Sequence, residues 1–209
     1  AKYKSAKVSL PGGCAIGTRP VDLHLFALKK LGAKIKIKNG YIYATAKNGL
    51  VGNKIRFSKI SVGATENAII AASQAKGTTS LYNCATEPEV QDLILFLKKL
   101  GCHIKTKNRK IVIKGSFEPI PTTYKVMFDR IEAGTYLIAS ALVGRKISLT
   151  NLKSNVIKTE IKTLRKMGVK MKISRDKIII TKTAKIKNIN ISTAAYPGFP
   201  TDLQAQIMA

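Results

Sequence analysis

The chain is 209 residues long and 45% apolar, with 7 Pro and 15 Gly, which excludes a disordered chain and allows one large domain or two small ones around a sizeable core. Lys and Arg number 37 against 11 Asp and Glu, a net charge of +26, and that balance invites a nucleic-acid partner. No apolar run reaches the roughly 18 residues of a membrane-spanning helix, so no membrane partner is expected.

The basic residues do not form a nucleic-acid footprint. Only seven are Arg, the better reader of phosphates and bases. The lysines fall in short scattered groups such as KIKIK, KTKNRK and KMKIS. Surface drift in a Lys-, Ile- and Asn-rich composition explains them, and a basic nucleic-acid-binding module stays as an alternative. Three cysteines, at 14, 84 and 102, form no CxxC pair, and the two histidines, His24 and His103, have no ligand spacing to them. No metal, no cofactor and no disulfide framework is therefore expected, and a reducing cytoplasm is the expected compartment.

The chain opens on AKYKSAKVSL, which lacks the apolar stretch of a secretory signal. The run Pro11–His24, PGGCAIGTRPVDLH, follows and is the most informative segment. Gly12, Gly13 and Gly17 free the backbone around Cys14, so the thiol is expected on an exposed, chemically available loop. An amphipathic helix follows, with Leu25, Leu28 and Leu31 on one face and Gly32 as its stop. Two alternating strands, Ala33–Lys38 and Tyr41–Ala46, join through Asn39-Gly40, a hairpin signal. The segment from Ser61 to Asn83 reads helix, glycine, strand. The helix-plus-hairpin pattern then recurs from Val90, with Gly101 as the stop, and from Ile157, with Gly168. The glycines are 69 and 67 residues apart, so the chain is built from near-equal units. Asp129–Asn151 repeats the Ser61–Asn83 piece, and both close on Ser-Leu-x-Asn. Each unit is expected to be βαβαββ, an α/β arrangement with one sheet face buried on helices.

The repeat isolates the Cys14 loop. Ser80 to Gly101 and Ser148 to Gly168 span 21 and 20 residues, whereas Ser9 to Gly32 spans 23. The extra residues of the first copy fall at PGGC, and loops are where function is added. A further copy opens at Ile191, where PTDLQ sets Asp202 against Asp22 of PVDLH. Pro119 and Pro121 break the pattern, so a boundary is expected near residues 119–129, with a small-molecule cleft at a hinge there. Domains of 1–127 and 128–209 follow. The chain stops at QAQIMA inside a helical pattern, which suggests a fragment.

Five motifs in order carry a resemblance: the Cys14 run, KISVGATENA at Lys59–Ala68, EPEVQDLILFLKKLG at Glu87–Gly101, DRIEAGT at Asp129–Thr135, and FPTDLQAQ at Phe199–Gln206. Together they closely resemble the central part of the bacterial UDP-N-acetylglucosamine enolpyruvyl transferase (1-carboxyvinyltransferase) family. The resemblance covers essentially the whole chain. It implies two lobes, each an inside-out α/β barrel of three βαβαββ units, here incomplete, and an enzyme. The implied reaction moves the enolpyruvyl group of phosphoenolpyruvate to the 3-hydroxyl of UDP-N-acetylglucosamine and releases phosphate. The high positive charge departs from the family. A related shikimate-pathway enolpyruvyl transferase is the alternative within the same fold, and the loop cysteine and the K-x-SVG run speak against it.

The resemblance also assigns roles. Cys14 is implied as general acid on the enolpyruvyl carbon, able to form a covalent adduct and open to epoxides such as fosfomycin. Arg19 is implied to bind an anion, a fitting task for a guanidinium fork. Pro20, Val21, Asp22 and Leu23 match the segment that holds the uracil and ribose. Lys59, Ser61, Val62 and Gly63 match the diphosphate cradle, and a lysine, a hydroxyl and helix-opening amides suit an anion. Asp202 matches the carboxylate that takes or orients the sugar hydroxyl proton. For Asp22 and Asp202 a plain helix N-cap remains the alternative. Asp129, Arg130 and Glu132 read as structural salt-bridge candidates, Cys84 and Cys102 as fillers, and both histidines as ordinary polar residues.

Overall fold

A computed structural model describes residues 3–12, 20–143, 146–181 and 185–209. The chain divides into two units, Ala1–Lys125 and Val126–Ala209.

The first unit starts with β1 (Ser5–Ser9), α1 (Asp22–Lys30), β2 (Lys34–Lys38) and β3 (Tyr41–Thr45). These strands form an antiparallel sheet of order β1-β3-β2. Asn39 and Gly40 turn β2 into β3 with φ of 51° and 74°, the left-handed pair that a two-residue hairpin needs. A complete βαβαββ unit follows: β4 (Lys54–Arg56), α2 (Val62–Ser73), β5 (Thr78–Tyr82), α3 (Pro88–Lys99), β6 (His103–Lys107) and β7 (Lys110–Lys114). Its sheet order is β4-β5-β7-β6, with β4 and β5 parallel and the rest antiparallel.

The second unit contains α4 (Arg130–Val143), β8 (Ile147–Thr150), α5 (Lys158–Lys166), β9 (Met171–Ile173) and β10 (Lys177–Ile180). A single 3₁₀ turn, Thr201–Leu203, and α6 (Gln204–Met208) follow. The sheet order β8-β10-β9 repeats that of β1-β3-β2, and β5-β7-β6 repeats it again. What recurs is a strand, a helix and a hairpin whose last strand lies in the middle, and the expected βαβαββ unit is seen whole from β4 to β7.

The repeated glycines explain why each helix ends where it does. Gly32, Gly101 and Gly168 have φ of 96°, 104° and 93°. A side chain at that φ is strained, so only glycine closes the helix without cost. The Asn of Ser-Leu-x-Asn has a matching cause: Asn83 and Asn151 both sit at φ 59°, a conformation that Asn tolerates best among residues with a Cβ.

Each unit has its own core. Ile55, Ile69, Leu81, Val90 and Ile113 centre the first, and Leu137, Ile157, Ile178 and Leu203 the second. The small residues of α2 serve that packing, since Ala64, Ala68, Ala71 and Ala72 are all buried. The segment after β7 stays on the first unit. Ile120 N–H donates to Leu100 O at 3.0 Å, and the Tyr124 hydroxyl donates to Asp92 Oδ1 at 2.8 Å. Among the described residues no helix is long and apolar enough to cross a membrane.

Candidate functional site

Of the residues the sequence singles out, Cys14 and Arg19 lie outside the described residues. The nine others do not, and they fall in three places.

Pro20–Leu23 leads into α1. Pro20 and Asp22 are exposed and Leu23 is buried in the first core. Val21 holds the cap position, Asp22 is the first helical residue, and no side-chain cap bond forms. The N-cap alternative for Asp22 therefore fails. Its carboxylate is free of that duty, although it still lies favourably in the first turn of the helix dipole.

Lys59–Gly63 opens α2. Ser61 is the N-cap, with φ −145° and ψ 124°, and its Oγ accepts from Ala64 N at 3.3 Å. Its carbonyl accepts from Thr65 N at 3.1 Å. Val62 and Gly63 supply first-turn amides that have no acceptor within the helix. Lys59 is exposed just before them. Among the described helices of nine or more residues, α1, α3, α4 and α5 each carry an acid in the first turn: Asp22, Glu89, Glu132 and Glu160. α2 carries none. Its positive end is set up for an anion supplied from outside.

A residue the sequence did not single out joins these two segments. His24, on α1, has its Nδ1 3.1 Å from Asn67 Nδ2 on α2. The amide is the donor in that contact, so Nδ1 accepts and Nε2 keeps the ring proton. A Cβ placed on Gly63 would sit 3.2 Å from His24 Cε1, so a side chain there would crowd the imidazole. The link spans 43 residues of sequence. Only the identities His24 and Asn67 were visible beforehand, with nothing to pair them.

Asp202 lies in the second unit. It is exposed within the 3₁₀ turn Thr201–Leu203, whose cap is Pro200 and which has no side-chain cap bond. The cap alternative fails here too. Leu203 beside it is fully buried, so the turn is anchored by its apolar member and presents its acidic one.

The DRIEAGT residues open α4. Asp129 caps α4, its Oδ1 accepting from Ile131 N at 2.7 Å and Glu132 N at 3.1 Å. Arg130 is buried, 8% exposed, and Glu132 is exposed in the first turn. Cys84 and Cys102 are free and buried. Burial pushes the Cys84 thiol up to about 12, against the pull of Arg109 and a backbone bond, and burial raises Cys102 as well. Among the described residues no group of three His, Cys, Asp or Glu could hold a metal ion.

The chain is similar to known proteins. The family profile of EPSP synthase (3-phosphoshikimate 1-carboxyvinyltransferase) matches residues 1–209, and the chain belongs to that family of enolpyruvyl transferases. Among its curated relatives, the UDP-N-acetylglucosamine 1-carboxyvinyltransferase of Pelagibacter ubique is 57% identical over 209 residues, covering all of this chain and 50% of that protein. The protein of the same name from Rickettsia prowazekii is 46% identical over 209 residues, again with full coverage here and 50% there. The chain thus spans about half the length of the curated relatives it matches. Among solved structures, the enolpyruvyl transferase NikO from Streptomyces tendae superimposes with a TM-score of 0.84 at 22% identity, over 99% of this chain and 50% of that one. EPSP synthase from Acinetobacter baumannii gives 0.64 at 21% identity, over 89% and 45%. The fold is therefore the α/β enolpyruvyl transferase fold, present in part.

Proposed function

We propose that this chain is part of an enzyme that transfers the enolpyruvyl group of phosphoenolpyruvate to the 3-hydroxyl of UDP-N-acetylglucosamine, releasing phosphate, in the first committed step of peptidoglycan synthesis. The observation that carries the proposal is the opening of α2: Lys59, a hydroxyl cap and first-turn amides with no acid among them, in a chain 57% identical to a relative named for that sugar nucleotide. This is a fitting cradle for a diphosphate. Pro20–Leu23, tied to α2 through His24 and Asn67, takes the uracil and ribose end. Arg19 binds an anionic group of substrate. Cys14 delivers a proton to the methylene carbon of phosphoenolpyruvate and can instead bond to the adjacent carbon. Its neutral thiol suits the first task, since an ordinary thiol is largely protonated near neutral pH. Asp202 accepts the proton of the sugar hydroxyl as its oxygen adds to the adjacent carbon; one proton of the new methyl group then returns to the Cys14 thiolate, and phosphate leaves as the enol ether forms.

Residues 1–127 belong in this proposal to a first lobe and 128–209 to a second, each incomplete. Both proposed substrates are anions, and the proposed compartment is the cytoplasm. The test uses the protein encoded by the whole reading frame. It should release phosphate from phosphoenolpyruvate when given UDP-N-acetylglucosamine, and Cys14→Ser should abolish or cripple that release. Undiminished turnover by Cys14→Ser removes the thiol from the mechanism. The family description favours one rival acceptor, 3-phosphoshikimate. Turnover with that acceptor and none with the sugar nucleotide would establish the rival.

A further inference from the structure

We infer that Thr159 and Arg130 are positioning residues for the Asp202 carboxylate, because together they clamp the turn that leads into it. The inference rests on the proposed role of Asp202 as proton acceptor.

All the parts lie within the second unit. Residues 194–200 close on themselves: Ala194 N donates to Phe199 O at 2.9 Å, and Gly198 N to Ala195 O at 2.8 Å. Nothing in that closure ties the turn to the rest of the unit. Phe199 is buried in the unit's core, and polar ties come from α4 and α5. Thr159 Oγ1 donates to Pro197 O at 2.5 Å. The Arg130 guanidinium lies 5.9 Å from the centre of the Tyr196 ring, within reach of a cation–π contact. Downstream of Asp202, the Gln206 side-chain amide donates to Thr135 Oγ1 at 3.1 Å. A Cβ on Gly134 would reach Leu203 Cδ1 at 2.4 Å, so α4 and the 3₁₀ turn meet closely.

The clamp is itself braced. Glu160 follows Thr159 and is 4% exposed, and Arg130 is 8% exposed. Burial raises the Glu160 carboxyl from its ordinary value, while attraction to Arg130 works the other way. One end of α5 thus offers both the hydroxyl that holds the 197 carbonyl and the acid that steadies the cation beside Tyr196. Asp202 is exposed and has no cap bond of its own. Its placement depends on these two attachments together with the buried Phe199 and Leu203 on either side of it. A catalytic group displaced by about 1 Å can cost on the order of a hundred-fold in rate, so such attachments carry kinetic weight.

The experiment uses the protein of the whole reading frame. Thr159→Val keeps the shape and removes the hydroxyl. It should lower kcat on the order of ten-fold, a loss of about 1.4 kcal/mol, and leave KM for both substrates within about two-fold. Thr159→Ser restores the hydroxyl and should restore kcat. Arg130→Met should act in the same direction. In an Asp202→Asn background neither change should lower the residual rate further, because no carboxylate is left to place. Turnover of Thr159→Val within two-fold of the parent overturns the inference, as does an equal further loss in the Asp202→Asn background. Both results leave the Asp202 role intact. Full turnover by Asp202→Asn alone overturns that role and the inference with it. If Arg130→Met does not fold, Thr159→Val decides alone.

Discussion

The openings of α2 and α4 are the same device carrying opposite charge. Ser61 and Asp129 stand at matching places in the repeat, one before α2 and one before α4, and each accepts from the backbone amide three residues on, Ala64 and Glu132. The serine is neutral and α2 has no first-turn acid. The aspartate is charged and Glu132 follows it. One helix end thus carries its own carboxylates, and the other carries none in its first turn. The cap recurs with a different charge, the difference that the proposed diphosphate site at α2 requires.

The largest expected effect comes from the leucines that anchor the two acidic segments. Leu23 and Leu203 are 6% and 0% exposed, each in its own core. Replacing either by Ala should cost about 2–5 kcal/mol, read by denaturant unfolding with a separate probe in each unit. Leu203→Ala should weaken the second unit and spare the first. Equal loss in both units would mean that the cores are not independent.

Next comes transplanting the charge. Ser61→Asp keeps a capping oxygen and installs the repulsion present at α4. We expect a rise of about a hundred-fold in KM for the sugar nucleotide, since opposed like charges cost several kcal/mol, with a thermal midpoint near that of the parent. An unchanged KM would take the diphosphate away from α2. Removing the other cap is milder: Asp129→Ala should cost about 1 kcal/mol of stability, measured by urea denaturation, with KM for the nucleotide unmoved.

The smallest effect concerns Glu66, further along α2. Burial, then Glu89 and Glu87, raises its carboxyl above the ordinary 4.5. The unfolded chain therefore releases this proton at lower pH than the folded one. Stability is untouched below about pH 4 and falls as pH rises through the folded value. Glu66→Gln should thus raise the thermal midpoint at neutral pH and leave it unchanged near pH 4. A gain at both values would point to packing instead of charge.

Much of the fold could be read from the chain because its causes are local. A glycine that must take a positive φ ends each helix, Asn39-Gly40 turns a hairpin, and repetition makes each signal appear more than once. The duties of the acids were harder to see. Asp22, Asp129 and Asp202 each precede or open a helix, yet only Asp129 caps one. Capping depends on the φ and ψ of a single residue, and the letters Asp-Leu or Asp-Arg do not fix those angles. His24 and Thr159 were missed for a different reason. Each acts on a partner far away in sequence, Asn67 and Pro197, and periodicity carries no record of such pairs.

Burial of Cys84 and Cys102 has a practical consequence at the bench. Alkylating reagents and epoxides attack thiolate, and those two sulfurs hold their protons well past neutrality. Titration of the native chain with a thiol dye near pH 8 should therefore count no more than one sulfur, and the same titration in denaturant should count three. Any thiol mark picked up before unfolding reports on Cys14, which makes intact-mass spectrometry a direct gauge of that sulfur.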